Sequence, residues 1–323
     1  FNKSLEEIWN SDEMKDIRLR MIKGEELSVC ERCNGGSTNP NPYRNYFNEK
    51  YEELTKSILE NTLEDGTYNE HPITFDYRTN VCNFKCKTCS EEFSTQIQVE
   101  KINNNSKLLY NILSSDEREK SLEIIDKEFK DENILKNVQE IYFAGGEPLI
   151  MPEHFTTLEK LIESGRSKHV KLVYNTNMTK LNYKNNNLVD LWKEFNQVVL
   201  GMSIDAMGDR AEYIRNGIPW NKIEPNIREI YDVCLNNRNI TYHMSPTVSI
   251  MNVWTLPDMH RYFVENKLMR STNDILLNIL LRPSYYEIRN LSDKLKEEIK
   301  DKYTKHVDWL KERNTQQNVI DQF

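Results

Sequence analysis

The sequence lacks an excess of positive charge. It has 43 Lys and Arg residues against 51 Asp and Glu residues, which gives a formal net charge of −8. Because electrostatic binding to nucleic acid needs a basic face, this balance argues against a nucleic-acid partner, although it leaves room for a local basic groove. Hydrophobic residues make up only 38% of the chain, less than is usual in a globular domain, but they gather in short runs from which a core can form.

Long apolar segments are absent too. No run approaches the roughly 20 residues that a membrane-spanning helix needs, and we find no signal peptide, so we expect no membrane partner. The first residue is Phe1 rather than Met. We therefore expect a chain that is cut at its N-terminus, with any upstream ligand or targeting segment missing.

Cysteine is scarce and unevenly placed. Of the six cysteines, Cys30 and Cys33 form one cluster, Cys82, Cys86 and Cys89 form a second, and Cys234 stands apart. A secreted disulfide scaffold would be shorter and would spread its cysteines along the chain. The clusters instead predict metal or cluster ligands, and with them a reducing compartment, the cytoplasm.

Hydrophobic patterning divides the chain near residue 70. Residues 1–70 are polar and mostly helical in pattern, with one helix predicted from Tyr46 to Leu63. Beyond them, short β-rich runs alternate with helical ones. The predicted strands are Ile73–Tyr77, Val138–Ala144, Val170–Asn175, Val198–Ile204, Thr241–Ile250 with a bend at Pro246, and Ile275–Leu281. The predicted helices lie near residues 91–130, 153–165, 187–195, 222–237, 256–267 and 292–313.

This alternation predicts an α/β fold with a parallel sheet and right-handed crossovers. Six strand–helix units are fewer than the eight of a complete TIM barrel, so a partial barrel and an open doubly wound sheet both fit. Residues 100–136 are longer than one crossover needs, and we interpret them as an insertion.

Three cysteines share one short loop directly after the first predicted strand. The loop reads Cys82-Asn83-Phe84-Lys85-Cys86-Lys87-Thr88-Cys89. In barrels and open α/β sheets, this end of a strand hosts the active site. Three thiolates can hold three irons of a four-iron cluster and leave the fourth iron open, and the two lysines would lower the thiol pKa values. A zinc site with a remote fourth ligand, or three unrelated cysteines, are the alternatives.

A glycine-rich turn follows the second predicted strand at the same end of the sheet. It consists of Gly145, Gly146, Glu147 and Pro148. Two glycines allow a ligand to approach the backbone closely, Glu147 can accept a hydrogen bond from a bound ammonium group, and Pro148 fixes the turn into the next helix. Alone, such a string is usually only a turn; here it comes one βα unit after the cysteine loop.

The cysteine loop followed by Phe143-Ala144-Gly145-Gly146-Glu147-Pro148 resembles the radical S-adenosylmethionine (SAM) superfamily. The resemblance covers about residues 71–283. It implies a partial (β/α)6 barrel and a [4Fe-4S] cluster on Cys82, Cys86 and Cys89. SAM would bind the open iron through its amino and carboxylate groups, and the turn of Gly145, Gly146, Glu147 and Pro148 would bind the amino group. The resemblance also implies reductive cleavage of SAM to methionine and a 5′-deoxyadenosyl radical, which takes a hydrogen atom from a substrate.

The same resemblance implies roles for residues on later strands. Asn177 lies at the end of the third strand, and Ser203 would bind the SAM ribose, with Asp205 touching the ribose or only capping a turn. Arg215 would pair with the SAM carboxylate or remain a solvated charge, and Val248 would pack near the adenine. Thr88 departs from the pattern, because many members carry an aromatic residue immediately before the last cysteine.

The Cys30-Glu31-Arg32-Cys33 turn is a common half of a metal site. With the preceding residues from Leu5 to Glu25, it resembles the auxiliary-cluster region of SPASM or twitch-type radical SAM proteins, which implies a second iron–sulfur cluster that is incomplete here. A zinc knuckle, a redox pair and two idle thiols are the alternatives. We thus expect a twitch-like extension in residues 1–70, the barrel in residues 71–283 and a helical segment in residues 284–323.

The expected function is therefore hydrogen abstraction by a radical SAM enzyme. The twitch likeness favours a peptide or protein substrate, and the family implies a flavodoxin or ferredoxin as electron donor. A small molecule, a nucleoside or a tRNA is the rival substrate. A non-catalytic iron–sulfur or zinc-binding module is the rival from another class of function.

Overall fold

A computed structural model of the chain describes residues 3, 5–31, 43–70, 73–108, 120, 123, 127, 132–183 and 186–323. The contacts within the chain divide it into two compact units. One comprises residues 1–71 with 117–128, and the other comprises residues 72–116 with 129–323.

The first unit is helical where it is described. Its helices are α1 (Leu5–Trp9), α2 (Asp12–Ile22), α3 (Tyr43–Lys50) and α4 (Glu52–Asn61). Helix α2 begins after Ser11, whose side chain accepts a hydrogen bond from the backbone of Met14, as N-cap residues do. The single helix predicted from Tyr46 to Leu63 was wrong in its continuity, because the chain breaks at Tyr51, between α3 and α4.

Helix α2 is held against the turn that follows α4. Arg18 donates from Nη1 to the carbonyl of Gly66 at 2.6 Å, and Lys15 lies 2.8 Å from the Asp65 carboxylate. Gly66 has a φ of +84°, and a Cβ there would lie 2.6 Å from the carbonyl oxygen of Lys15. The close approach of the turn to α2 therefore requires glycine at this position.

The second unit is built on a five-stranded parallel sheet, so the predicted α/β fold class is confirmed. In spatial order its strands are β1 (Thr74–Thr79), β3 (Glu140–Gly145), β4 (Lys171–Thr176), β7 (Gln197–Met202) and β9 (Ile240–Met244). The helices that lie between these strands in sequence, or follow them, are α5 (Thr95–Asn103), α6 (Glu132–Leu135), α7 (Pro152–Glu163), α8 (Leu188–Trp192), α10 (Trp220–Asn236) and α11 (Leu256–Glu265). A five-stranded parallel sheet of this kind is consistent with a partial radical SAM barrel.

The sixth predicted strand follows the fifth, since the N–H groups of Leu276, Asn278 and Leu280 donate to the carbonyls of residues 244, 246 and 248, but its regular part is short. Ile275 forms an isolated parallel bridge to Met244, and β11 (Asn278–Ile279) pairs in parallel with β10 (Thr247–Val248). The predicted bend at Pro246 is confirmed, since β9 ends at Met244 and β10 begins at Thr247. Proline has no N–H to donate and therefore interrupts the ladder.

Short elements complete the second unit. They are β2 (Lys85–Cys86), β5 (Asn182–Tyr183), β6 (Asn186–Asn187), α9 (Gly208–Ile214), β8 (Arg215–Asn216), α12 (Asp293–Glu312) and α13 (Gln317–Ile320). Across the described residues, no helix is both long and apolar enough to cross a membrane.

The two faces of the central sheet differ sharply in chemistry. One face is apolar, fully buried and covered by helices; its Phe143 and Tyr174 stack on each other, and Tyr174 packs against Trp192 of α8. The opposite face, called here the inner face, carries Arg78, Tyr142 and other polar side chains. Side chains alternate along a strand, so the neighbours Tyr142 and Phe143 of β3 fall on different faces.

Candidate active site

A cavity of about 300 Å³ lies at the carboxyl ends of the central strands. Eight of the residues predicted from the sequence line it: Cys82, Cys86, Cys89, Gly145, Gly146, Asn177, Ser203 and Arg215. Parallel strands bring their carboxyl ends to one edge of a sheet, where ligands of α/β proteins bind. Residues up to 133 positions apart in sequence are thereby gathered around one space.

The cysteine loop is anchored by its central aromatic residue. Phe84 is 1% exposed, and its carbonyl accepts a hydrogen bond from the buried Ser94 hydroxyl at 2.6 Å. The backbone N–H of Phe84 points at the Sγ of Cys82, 3.4 Å away. The loop thus folds around a buried ring and leaves the three thiols lining the cavity.

Burial, rather than the neighbouring lysines, dominates the acidity of the thiols. It raises the pKa of Cys82 to about 11 and that of Cys86 to about 12, and it also raises the pKa of Cys89, while the positive charge of Arg215 opposes the rise at each. The prediction that the two lysines of the loop lower these pKa values was wrong. Lys85 pairs with Glu100 at 2.9 Å, and Lys87 lies over the Tyr213 ring.

A second segment clamps the cysteine loop from the other side. The antiparallel pairing of β2 with β8 sets Cys86 opposite Arg215, and the N–H of Lys87 donates to the carbonyl of Ile214 at 2.9 Å. A Cβ on Gly217 would lie 2.3 Å from the Phe84 ring and 2.7 Å from the Asn83 carbonyl oxygen. Glycine at 217 is therefore required for this contact, which the sequence analysis missed because two-residue strands leave no periodic pattern.

The two glycines of the turn bring the chain close to itself. A Cβ on Gly145 would lie 2.1 Å from the carbonyl oxygen of Thr79, and one on Gly146 would lie 2.2 Å from that of Val81. The N–H groups of Gly146 and Glu147 donate to these same carbonyls. The glycines line the cavity, as expected. The space that a Cβ would take at each is filled by the backbone of residues 79–81, which leads into the cysteine loop.

Glu147 departs from its expected role as a ligand for an ammonium group. Its side chain is fully buried, and its Oε1 accepts from the N–H of Leu149 at 3.0 Å and from the hydroxyl of Thr176 at 2.8 Å. Its Oε2 accepts from the N–H of Asn177 at 2.7 Å. Burial raises the pKa of Glu147 to about 7 against the effect of these donors. The carboxylate thus joins the ends of β3 and β4, and Pro148 begins the 3-10 turn that follows it.

Asn177 and Ser203 are placed as expected, at the cavity wall. The Asn177 amide donates to the Asn83 side chain of the cysteine loop at 2.9 Å and accepts from Thr179. The backbone N–H of Ser203 donates to the Thr176 carbonyl at 2.8 Å. Asn177 therefore links the end of β4 to the cysteine loop.

Asp205 and Arg215 bind each other. Nε and Nη2 of Arg215 lie 2.7 and 3.1 Å from the two Asp205 carboxylate oxygens, and the remaining nitrogen, Nη1, lies 3.9 Å from the Sγ of Cys86. Asp205 does not line the cavity, and its Oδ1 also accepts from the N–H of Thr247. The alternative of a solvated charge at Arg215 was wrong, since its side chain is only 16% exposed.

Val248 lies on the wrong side of its strand for the expected contact with adenine. Thr247, its neighbour in β10, lines the cysteine cavity, whereas Val248 lines a separate apolar cavity of about 680 Å³ beside α12. The two side chains point to opposite faces because a strand has a period of two. Sequence reasoning also missed Phe93, which lines the cysteine cavity and brings to it an aromatic ring, as Thr88 cannot.

The donor set of the cavity fits a polynuclear iron–sulfur cluster. Three thiols face one space, beside an arginine that can balance negative charge. Among the described residues, no three His, Cys, Asp or Glu side chains are grouped so as to hold a metal ion by themselves. The ligands of a four-iron cluster sit on separate corners and need no such common point.

The other predicted metal-binding residues fall in the first unit. Cys30 ends a short 3-10 helix, Ser28–Cys30, and is half-buried. Cys33 lies outside the described residues.

The Radical SAM superfamily description matches residues 77–259 of the chain. No curated protein matches it. Among solved structures, Streptococcus suis SuiB bound to S-adenosylmethionine is similar at 15% identity and a TM-score of 0.45, over 93% of this chain and 60% of that one.

Two further SuiB structures match similarly. SuiB bound to the precursor peptide SuiA shows 15% identity and a TM-score of 0.45 over 94% of this chain and 61% of that one. A third structure of SuiB shows 13% identity and a TM-score of 0.46 over 94% and 60% of the two chains. The chain thus spans about 60% of the length of these SuiB structures.

Proposed function

Because this chain belongs to the radical SAM superfamily, we propose that it binds a [4Fe-4S] cluster and SAM in the cysteine cavity and removes a hydrogen atom from a substrate. The observation that carries the proposal is the gathering of Cys82, Cys86 and Cys89 on one cavity with the Gly145–Gly146 turn and Ser203. When bound, the reduced cluster supplies the electron that splits SAM into methionine and a 5′-deoxyadenosyl radical.

The residues of the chain would divide the remaining work between them. The three thiolates would hold the cluster, and the raised thiol pKa values mean that its assembly releases protons. Gly145, Gly146 and Ser203 would face SAM, and the ring of Phe93 would pack against a planar group of a ligand in the cavity. Glu147 and Asn177 would act as positioning residues, because their hydrogen bonds tie the strand ends to the cysteine loop.

We further propose that the substrate is a peptide or protein. The charges of the inner face are paired: Arg78 binds Asp76 at 2.9 Å, and Lys171 lies 3.5 Å from Glu140. Beside them stand neutral hydrogen-bonding groups, such as the Asn175 amide, which donates to the Tyr142 hydroxyl at 2.6 Å. Neutral donors and acceptors suit the amides of a peptide, whereas phosphate groups are bound by Lys and Arg that are free to meet them.

Three accessory features belong to the same proposal. An auxiliary metal or cluster site would use Cys30 and Cys33 within a twitch-like extension of residues 1–70. The other two parts of the chain would be a barrel of residues 71–283 and a C-terminal segment of residues 284–323. A flavodoxin or ferredoxin would deliver the electron. The reducing conditions that the two clusters would need support a cytoplasmic location for the enzyme.

The decisive experiment is anaerobic. We expect the protein, reconstituted with iron and sulfide and given SAM and dithionite, to release 5′-deoxyadenosine that mass spectrometry detects. Cys86→Ala should release none. Cys234→Ala is the matched control, because Cys234 is a buried cysteine of α10 that does not line the cavity, and it should keep the activity.

The outcomes separate the candidate functions. A wild-type protein whose cluster is intact and reducible, yet which releases no 5′-deoxyadenosine, would point to a non-catalytic iron–sulfur module. Loss of iron in Cys30→Ser that leaves 5′-deoxyadenosine formation intact would support an auxiliary site. No change in iron content would count against that site.

A further inference from the structure

The buried pair of Asp205 and Arg215 is held in one fixed geometry. Asp205 is fully buried, and its two carboxylate oxygens receive Nε and Nη2 of Arg215 in a bidentate contact. The N–H of Thr247 donates to the same carboxylate at 2.7 Å, and the Asn252 amide donates to the Asp205 carbonyl at 2.9 Å. Such a paired fork is strong and leaves the guanidinium little freedom to rotate.

The fork directs the remaining guanidinium nitrogen at a cysteine. Nη1 of Arg215 lies 3.9 Å from the Sγ of Cys86. The backbone reinforces this contact, because Cys86 and Arg215 are paired in the β2–β8 ladder and Lys87 is bonded to Ile214. Nε and Nη2 of Arg215 are engaged with Asp205, and Nη1 is the nitrogen that contacts the sulfur at the edge of the cavity.

We propose that the Asp205–Arg215 pair tunes the reduction potential of the cluster through the sulfur of Cys86. The inference rests on the proposed function, since it takes Cys86 as a cluster ligand. A cluster gains one negative charge when it accepts an electron. A cation and an N–H donor placed on a ligand sulfur stabilise that more negative state, so they raise the potential and make the cluster easier to reduce. Asp205 fixes the direction of the donor and offsets part of its charge.

The test measures the potential without SAM. The reconstituted protein is titrated with dithionite at controlled potential, and the one-electron-reduced cluster is counted by its electron paramagnetic resonance signal. The variants are Arg215→Met, which removes donor and charge, and Arg215→Lys, which keeps the charge but not the fork. Arg78→Met is the control, because Arg78 is likewise a cavity-lining cation paired with an aspartate, but its hydrogen bonds go to Asp76 and not to a cysteine sulfur.

We expect the potential of Arg215→Met to move to more negative values, Arg215→Lys to move less, and Arg78→Met to stay near the wild type. Thermal melting of the apoprotein shows whether each variant is folded. If Arg215→Met does not fold, the comparison is made with Arg215→Lys. An unchanged potential in a folded Arg215 variant that still assembles its cluster would overturn the inference. If, in addition, SAM no longer alters the electron paramagnetic resonance spectrum of that variant, Arg215 acts on SAM instead. A wild-type protein that assembles no cluster would overturn the proposed function together with this inference.

Discussion

At the scale of single residues, the cavity is held together by one buried carboxylate. Glu147 accepts three hydrogen bonds, from residues up to 30 positions away. We expect Glu147→Gln to destabilise the apoprotein by about 2 to 3 kcal/mol, because the new amide would set a donor against the N–H of Leu149 or of Asn177. The measurement is the free energy of unfolding in urea.

Glu163→Gln is the matched control for Glu147→Gln. Its carboxylate is exposed and pairs, within the part of the chain that the structure describes, with Lys160 of the same helix, so its replacement should change the free energy of unfolding by less than about 0.5 kcal/mol. Equal effects of the two substitutions would show that Glu147 does not organise the cavity.

Gly217 tests the clamp on the cysteine loop. In Gly217→Ala the added Cβ would meet the Phe84 ring and the Asn83 carbonyl, so we expect a loss of stability of about 1 to 3 kcal/mol and lower iron content after reconstitution. Asn216→Ala, at the exposed neighbouring position of β8, should leave both quantities unchanged. A Gly217→Ala protein with the stability and iron content of the wild type would contradict the clamp.

Residues that carry their own chemistry could be predicted from the sequence, and residues defined by their partners could not. The three thiols and the glycine turn can be recognised from their residue types and their spacing in the sequence. The partners of Asp205, Arg215 and Glu147 come from distant parts of the chain, and only folding brings them together. The structure shows that all three side chains form hydrogen bonds within the chain, which residue type and spacing did not predict.

At the scale of elements, the alternation of short apolar runs predicted the central sheet well. Buried strands such as Val170–Asn175 are continuous and rich in β-branched or aromatic residues, which is typical of parallel sheets. The sixth predicted strand, Ile275–Leu281, is bonded to the fifth along most of its length, but only two of its residues form a regular strand with β10. Composition reports the tendency to form a strand, whereas pairing depends on the neighbour that the fold provides.

Helix α12 offers a test at this scale. Its twenty residues are strongly charged, and it begins at Ser292, whose side chain accepts from the N–H of Leu295 at 3.4 Å. We expect Ser292→Ala to lower the free energy of unfolding by about 1 kcal/mol, and Ser292→Asp to keep it, because both Ser and Asp can cap a helix. Urea unfolding followed by circular dichroism measures both free energies; a Ser292→Ala variant as stable as the wild type would mean that the cap contributes nothing.

At the scale of the whole molecule, three buried histidines make stability depend on pH. Burial lowers the pKa of His154 and His306 to about 3 and that of His260 to about 4. His260 Nδ1 lies 3.1 Å from His306 Nε2, with Arg261 beside the pair. All three imidazoles are therefore neutral in the folded protein.

The sign of the dependence follows from these directions. Unfolded histidine binds a proton below a pH of about 6.5, while the folded protein cannot, so the stability from the neutral rings is complete above that pH and is lost as the pH falls toward 4. Three groups predict a loss of roughly 4 kcal/mol per pH unit in that window. Urea unfolding of the apoprotein at pH 7.5, 6.5 and 5.5 gives the slope of the free energy of unfolding against pH.

A double variant isolates the contribution of the histidine pair. His260→Phe with His306→Phe keeps aromatic rings among Trp309 and Phe323 but removes two of the three titrating groups. In this variant we expect the histidine contribution to the slope of stability against pH, below pH 6.5, to be about a third of its wild-type value. A slope identical to that of the wild type would show that other groups govern the acid sensitivity.

The clamp between β2 and β8 also has a consequence for the order of events during synthesis. Cys86 and Arg215 are 129 positions apart, so the ribosome releases the cysteine loop long before the strand that seats it. Until residues 214–217 emerge, the three thiols have neither the β8 ladder beside them nor the guanidinium to face. We therefore expect cluster loading to follow the synthesis of residues 214–217, because a chain that ends before Arg215 leaves the three thiols without this clamp.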